Sequence, residues 1–287
     1  MSEMNAIEVF ETGKKVEVPS SWDELPARQV RRIFRLYDKC IRKGKSPLEF
    51  SVKVLFMLIG YRMIPFVSSL DERTSENIYL LCDNLLGFLF AKDSASLSFD
   101  SVRNPLPFVR VGQRTLVGPS DLLQDLTFGE FRHASAAINA FYKSKDIEDL
   151  DECLAALYRP ASLKTNKAGR RIQNVDNGNA EMFLRLASRM HSWQKNLIML
   201  WFSACLDYIQ SGTLTIDGEQ VSLFLLFNGT SESSGFEYGW NDLLIELARE
   251  NCIGNKDQID EEPLFSVLSI MWHNFKENKR LEKLSKK

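Results

Sequence analysis

Histidine is scarce in this sequence, and the three that occur lie far apart. They are His133, His191 and His273, and none has a cysteine or a second histidine at the spacing that zinc sites use. The glycine-rich loops that hold phosphates or dinucleotides are absent, and so is the GxSxG turn that carries a nucleophilic serine. The sequence therefore predicts no catalytic, cofactor or metal site, and we expect a protein that is not an enzyme.

The cysteines are too few and too scattered for a disulfide framework. There are five, an odd number without a CxxC pair: Cys40, Cys82, Cys153, Cys205 and Cys252. Residues 1–15 lack the apolar core of a secretory signal, and the longest nearly apolar run, 197–206, is too short to cross a bilayer. These absences predict a cytoplasmic protein with reduced thiols and no membrane partner.

Hydrophobic residues are plentiful by contrast, at 44% of the chain, which is enough for a sizeable core. Many recur at intervals of three and four residues, the period of an amphipathic helix. Segments 50–60 and 77–91 are apolar around most of their circumference, which predicts two central helices. One long helix is predicted over about 179–210. The first stripe consists of Val30, Ile33, Phe34, Tyr37, Cys40 and Ile41.

Strand-like alternation is confined to short pieces. Residues 107–118 predict a hairpin around Gly112, and Asp217-Gly218 within 214–223 is a typical two-residue hairpin turn. Residues 14–18 are also strand-like. We therefore predict a mainly α, helical bundle-like globular protein with two small β-hairpins. Its expected organisation is an N-terminal helical part (1–158), a flexible basic loop (159–178) and a C-terminal helical part (179–287), which together could form one compact domain.

A cluster of polar residues near the middle of the chain raises the question of a site. Thr127 and Glu130 have capping-box spacing, as do Ser21 and Glu24 before the first helix. The helical period places His133 opposite the apolar stripe of its helix, so we expect Glu130, Arg132 and His133 to form a cap and a solvated face. The acids of 146–152 could bind a cation, but they lack the glycine and the ligand order of a calcium loop, so we interpret them as a solvated helix start. Asp83 lies within an apolar helix, and we expect a buried acid with a satisfied structural role.

Basic residues, in contrast, are unevenly distributed. The chain as a whole has a formal net charge of −2, but the stretch 28–43 contains seven basic side chains and one acid, Asp38, a net charge of +6. The stretch 159–171 contains five basic side chains, beginning with Arg159, and no acid. Such concentrations are typical of solvated helix faces, of docking surfaces for an acidic protein, or of nucleic-acid contacts. The candidate partner-binding residues are Arg28, Arg31, Arg32, Arg35, Lys39, Arg42, Lys164, Lys167, Arg170 and Arg171.

Several segments together resemble a known group of proteins. They are VPSSWDELPARQ near the start, GPSDLLQDLTFGEFRHA in the middle, LAALYRP at 154–160, and GWNDLLIELARENCIG with the following PLFSVL. This combination resembles a family of tailed-phage and prophage proteins from Bacteroidetes-type gut bacteria. The last segment is also similar to the tail assembly chaperones of such elements.

The resemblance implies a non-enzymatic role in virion morphogenesis, and it supplies no catalytic residues. We expect a tail assembly chaperone or adaptor that binds phage structural proteins, either in the host cytoplasm or within the virion. A head-to-tail connector is the structural alternative. A second alternative is a nucleic-acid-associated protein that uses the basic helix. The basic run at 159–171, however, has no interleaved aromatic residues on which bases could stack.

Overall fold

The computed structural model describes residues 5–9, 14–60, 71–92, 96–161, 179–216, 218–222, 240–249 and 254–285. Helices dominate this part of the chain, which confirms the predicted mainly α class. The helices are α1 (Ala27–Arg42), α2 (Pro47–Leu58), α3 (Glu72–Leu86), α4 (Phe128–Ser144), α5 (Ile147–Leu157), α6 (Ala180–Ser188), α7 (Ser192–Ser211), α8 (Trp240–Arg249), α9 (Lys256–Glu261) and α10 (Leu264–Ser285).

Short antiparallel strands connect some of the helices. The strands are β1 (Asn5–Val9), β2 (Lys14–Val18), β3 (Phe108–Val111), β4 (Arg114–Val117), β5 (Arg159–Pro160), β6 (Thr213–Ile216) and β7 (Glu219–Ser222). Both predicted hairpins are present as β3–β4 and β6–β7. The two turns contain Gly112 and Gly218 with positive φ angles, +59° and +82°, a backbone conformation that glycine adopts without steric cost. In addition β1 pairs with β2, and β5 joins the edge of β4.

The described residues group into two compact units. The first contains the residues up to Leu106 together with His191–Trp201, the first half of α7. The second contains Pro107–Met190 and the residues from Phe202 onward. The sequence instead placed a division at 159–178; most of that segment lies outside the described residues, so the flexible loop stays a prediction.

The core of the first unit is built around Trp22, which lies in a short 3₁₀ turn just before α1. Its ring contacts Phe34 of α1, with centroids 5.8 Å apart, and Phe99, with centroids 4.9 Å apart. The predicted stripe on α1 faces this core, except that Ile41 is 58% exposed. The predicted Ser21 cap is wrong, because Glu24 accepts hydrogen bonds from the backbone and hydroxyl of Ser20 instead.

In the second unit α4 packs against α5, and two aromatic side chains of α4, Phe128 and Phe131, are fully buried. Phe131 lies edge-on to Trp240 of α8, with centroids 4.7 Å apart, and also contacts Phe202 of α7. The start of α4 is joined to the start of α10 by hydrogen bonds from Phe128 N to Glu262 O and from Leu264 N to Leu126 O. These bonds fix the N-terminal turn of α4, where the polar cluster lies.

Two predicted helices differ from those observed. The long helix expected over 179–210 is divided at residues 189–191 into α6 and α7, and the backbone N–H of His191 donates to the Gln194 side chain at 2.9 Å. The segment 77–91 is not a central helix, because Tyr79 and Leu80 of α3 are exposed by 53% and 57%. Asp83 on the same helix is exposed as well, so its prediction as a buried acid is wrong.

Candidate functional site

The polar cluster at the start of α4 is a structural junction. The capping box between Thr127 and Glu130 is present, which confirms that prediction. However, Glu130 is buried rather than solvated, and its carboxylate pairs with the guanidinium of Arg159 at 2.9 Å. Arg132 pairs with Asp260 of α9 at 2.6 Å. The prediction of an exposed face is therefore wrong for Glu130, and Arg159 does not belong to an exposed basic run.

His133 is exposed, as predicted. Loss of hydration where neighbouring atoms cover the ring lowers the pKa of His133, and the adjacent Arg132 guanidinium lowers it further. Among the described residues, no three histidine, cysteine, aspartate or glutamate side chains converge to hold a metal ion.

The basic residues of α1 form a single stripe. At 100° per residue, the seven side chains from Arg28 to Lys43 fall within an arc of about 120°, and they extend over roughly 22 Å of helix. Arg31 is half-buried and the other six are exposed. The opposite side of the helix carries the core residues Val30, Ile33 and Phe34. The stripe therefore faces solvent because the apolar half of the helix is held against the core.

Most cations of the stripe have no acidic partner. Within the described part of the chain, Arg28, Arg31, Arg32, Lys39 and Lys43 form no ion pair with another side chain. Among the described residues, the stripe's ion pair is the contact between the Arg42 guanidinium and the carboxylate of the buried Asp38. An excess of positive charge consequently extends along the exposed face of α1.

A cleft of about 470 Å³ lies at the C-terminal half of this stripe. Here the start of α7 packs beside α1, and Arg35 lies over the indole ring of Trp193, 4.4 Å from its centroid. Asp38 accepts a hydrogen bond from the Ser192 hydroxyl at 2.6 Å in addition to its contact with Arg42. The lining residues are Arg35, Asp38, Lys39, Arg42, Lys43, His191 and Trp193.

The structure thus brings together one part of the predicted set. Arg28, Arg31, Arg32, Arg35, Lys39 and Arg42 share one face of α1, whereas Lys164, Lys167, Arg170 and Arg171 lie outside the described residues. The sequence-based reasoning missed His191, Ser192 and Trp193, since nothing in their local pattern indicates a partner some 150 residues earlier. The i,i+4 spacing of Asp38 and Arg42 is the one signal that could have indicated their pairing.

Comparisons with protein-family models, with curated proteins and with solved structures gave no match to this chain. Among the described helices, none combines the length and the apolar character needed to cross a membrane.

Proposed function

We propose that this chain is a non-enzymatic phage morphogenesis protein, a tail assembly chaperone or adaptor, which binds an acidic region of a virion structural protein along α1. The observation that carries the proposal is the basic stripe, because seven cations with a single buried acid among them form a long positive surface. Complementary charge of this kind accelerates association and selects against partners of like charge. The phage context comes from the sequence resemblance described above.

A nucleic acid is the second candidate partner, since a positive stripe of roughly 22 Å could also follow a phosphate backbone. Two features favour a protein. The aromatic side chain beside the stripe, Trp193, is 8% exposed and is covered by Arg35, so it offers no open face on which a base could stack. The formal net charge of the chain is −2, which would repel a long polyanion beyond the stripe itself.

The proposal is tested by reversing charge on the part of the stripe that has no packing role. Arg28, Arg32 and Lys39, which are exposed, lie in both halves of the stripe and have no ion partner among the described residues, are replaced by Glu. Arg35 is retained because it lies over Trp193. The matched control replaces three exposed basic residues of the second unit by Glu: Lys143, Arg189 and Lys256. Each tagged variant is co-expressed with a tape-measure protein or a portal protein of a tailed phage or prophage from the same host, and co-purification is measured.

We expect the wild type and the control to retain a structural protein that the α1 variant loses, while all three stay folded by circular dichroism. Retention of the tape-measure product supports a chaperone, and retention of the portal product supports a connector. If the α1 variant retains the same protein as the wild type, the docking surface is not α1. If the wild type instead binds DNA with an affinity that falls steeply with salt, and the variant does not, the nucleic-acid candidate replaces the proposal.

A further inference from the structure

The two halves of the basic stripe differ in how firmly their side chains are held. In the N-terminal half, the structure gives Arg28, Arg31 and Arg32 no ion-pair partner within the described residues. In the C-terminal half, Arg35 is stacked on Trp193 and Arg42 is held by Asp38. A side chain that is already positioned loses less conformational entropy on binding a ligand. The C-terminal half is therefore the better prepared to make a specific contact.

The charges in the cleft leave an excess of positive charge. The carboxylate of Asp38 is matched by the Arg42 guanidinium and by the Ser192 hydroxyl, so it does not neutralise the remaining cations. Those cations are Arg35, Lys39 and Lys43, and all three are exposed. A guanidinium that lies over an aromatic ring keeps its N–H donors in its own plane, where they can still reach a carboxylate. The cleft is thus arranged for an oxyanion.

We propose that this cleft is the anchoring site for a carboxylate of an acidic polypeptide segment, in which the positioned guanidinium of Arg35 acts together with the ammonium groups of Lys39 and Lys43, whereas Arg28, Arg31 and Arg32 supply only long-range attraction. This inference rests on the proposed function, in which an acidic protein docks along α1. It adds that the contacts which hold the partner are concentrated in the C-terminal half of the stripe. The remaining cations raise the rate of encounter.

Ionic strength separates these two roles. Attraction between exposed charges is screened over about 10 Å at 0.1 M salt and about 3 Å at 1 M salt. Long-range attraction from the N-terminal half should therefore disappear as salt rises. A direct contact inside a cleft excludes part of the solvent and is screened much less. At high salt, removing a cleft contact should therefore still weaken binding, whereas removing a distant charge should have no measurable effect on affinity.

The experiment compares two double variants that remove equal charge from the same helix face. The cleft variant is Lys39→Gln with Lys43→Gln, and the distal variant is Arg28→Gln with Arg32→Gln. Each pair has i,i+4 spacing and consists of exposed residues without a described ion partner, so neither variant should unfold. Binding of a fluorescently labelled deca-glutamate peptide is measured by anisotropy at 0.05, 0.15 and 0.5 M NaCl, with labelled dT10 as the comparison.

We expect the cleft variant to bind deca-glutamate at least about tenfold more weakly than wild type at 0.15 M NaCl, with the deficit persisting at 0.5 M. The distal variant should lose about threefold at 0.05 M and nothing at 0.5 M. Equal losses in both variants would overturn the anchoring site while leaving α1 as the docking surface. Unchanged binding in both would overturn the docking surface as well. Tighter binding of dT10 than of deca-glutamate, with the same sensitivity to the variants, would overturn the assignment to a carboxylate.

Discussion

Removing the positive partner of a buried ion pair should destabilise the second unit strongly. Arg159 and Glu130 are 5% and 6% exposed, and their charged groups are 2.9 Å apart. In Arg159→Met the aliphatic stem keeps much of its packing volume, although the guanidinium that lies over the Phe183 ring is removed. The carboxylate of Glu130, however, is left in the interior without its ionic partner. Breaking a buried pair in this way costs about 3–5 kcal/mol.

The double variant Glu130→Gln with Arg159→Met tests whether the stranded charge is the cause. In the wild type the backbone N–H of Thr127 donates a hydrogen bond to the Glu130 carboxylate at 3.1 Å. The amide oxygen of a Gln side chain can accept the same bond. Because no buried charge then remains, much of the stability should return, and the double variant should be more stable than Arg159→Met alone. If the pair contributed only packing volume, the double variant would be less stable than Arg159→Met alone.

The measurement is urea unfolding followed by circular dichroism, with Arg185→Met as the matched control. Arg185 pairs with Glu181 on the exposed surface of α6, where the two side chains are 64% and 84% exposed. Loss of such a pair should change the free energy of unfolding by at most about 0.5 kcal/mol. If Arg159→Met and Arg185→Met have the same midpoint within error, the reasoning about the buried charge is refuted.

Three further predictions concern the same unit. Gly118→Ala should destabilise by about 1–3 kcal/mol in thermal unfolding because its new methyl group would overlap the buried ring of Tyr158, whereas Gly87→Ala, with open space around it, should be neutral or stabilising. Cys153 and Cys205 should resist Ellman's reagent at pH 8 until the protein unfolds, because burial raises both thiol pKa values; rapid labelling in the native state would contradict this. The folded-state pKa of His133 is lowered below 6.5, so its protonation favours the unfolded state as the pH falls below about 6.5. Relative to wild type, His133→Gln should therefore be more stable at pH 5.5 than at pH 8, and a stability difference that does not change with pH would contradict this.

Features that depend on neighbours in sequence could be predicted. The apolar stripe of α1 and the capping box of α4 are defined by residues three to eleven positions apart, and both are observed. The β3–β4 and β6–β7 hairpins were predictable for the same reason, since two-residue turns with glycine set their register locally. The mainly α class follows from many such local signals acting in agreement.

Features that depend on distant residues were not predictable. Glu130 was expected to form a cap on a solvated face because its partner, Arg159, is 29 positions later and belonged to a run of basic residues. Helix α3 looked central because apolar side chains surround it, but apolar composition does not reveal which side has a neighbour to pack on. The break at 189–191 lacks a glycine or proline that would indicate it.

The same distinction applies to the candidate site and determines what each part of it can mean. The net charge of +6 over residues 28–43 is a local property, and it determines which sign of charge a partner must carry without determining the partner's shape. The cleft is a non-local property, because it exists only where α7 brings Ser192 and Trp193 beside Asp38 and Arg35. Non-local geometry can hold side chains in a fixed arrangement, and a fixed arrangement can discriminate between ligands of equal charge. If the partner is recognised specifically, that recognition should therefore depend on α7 as well as on α1, and a Trp193→Ala variant should bind acidic peptides with unchanged salt dependence but with reduced discrimination among them.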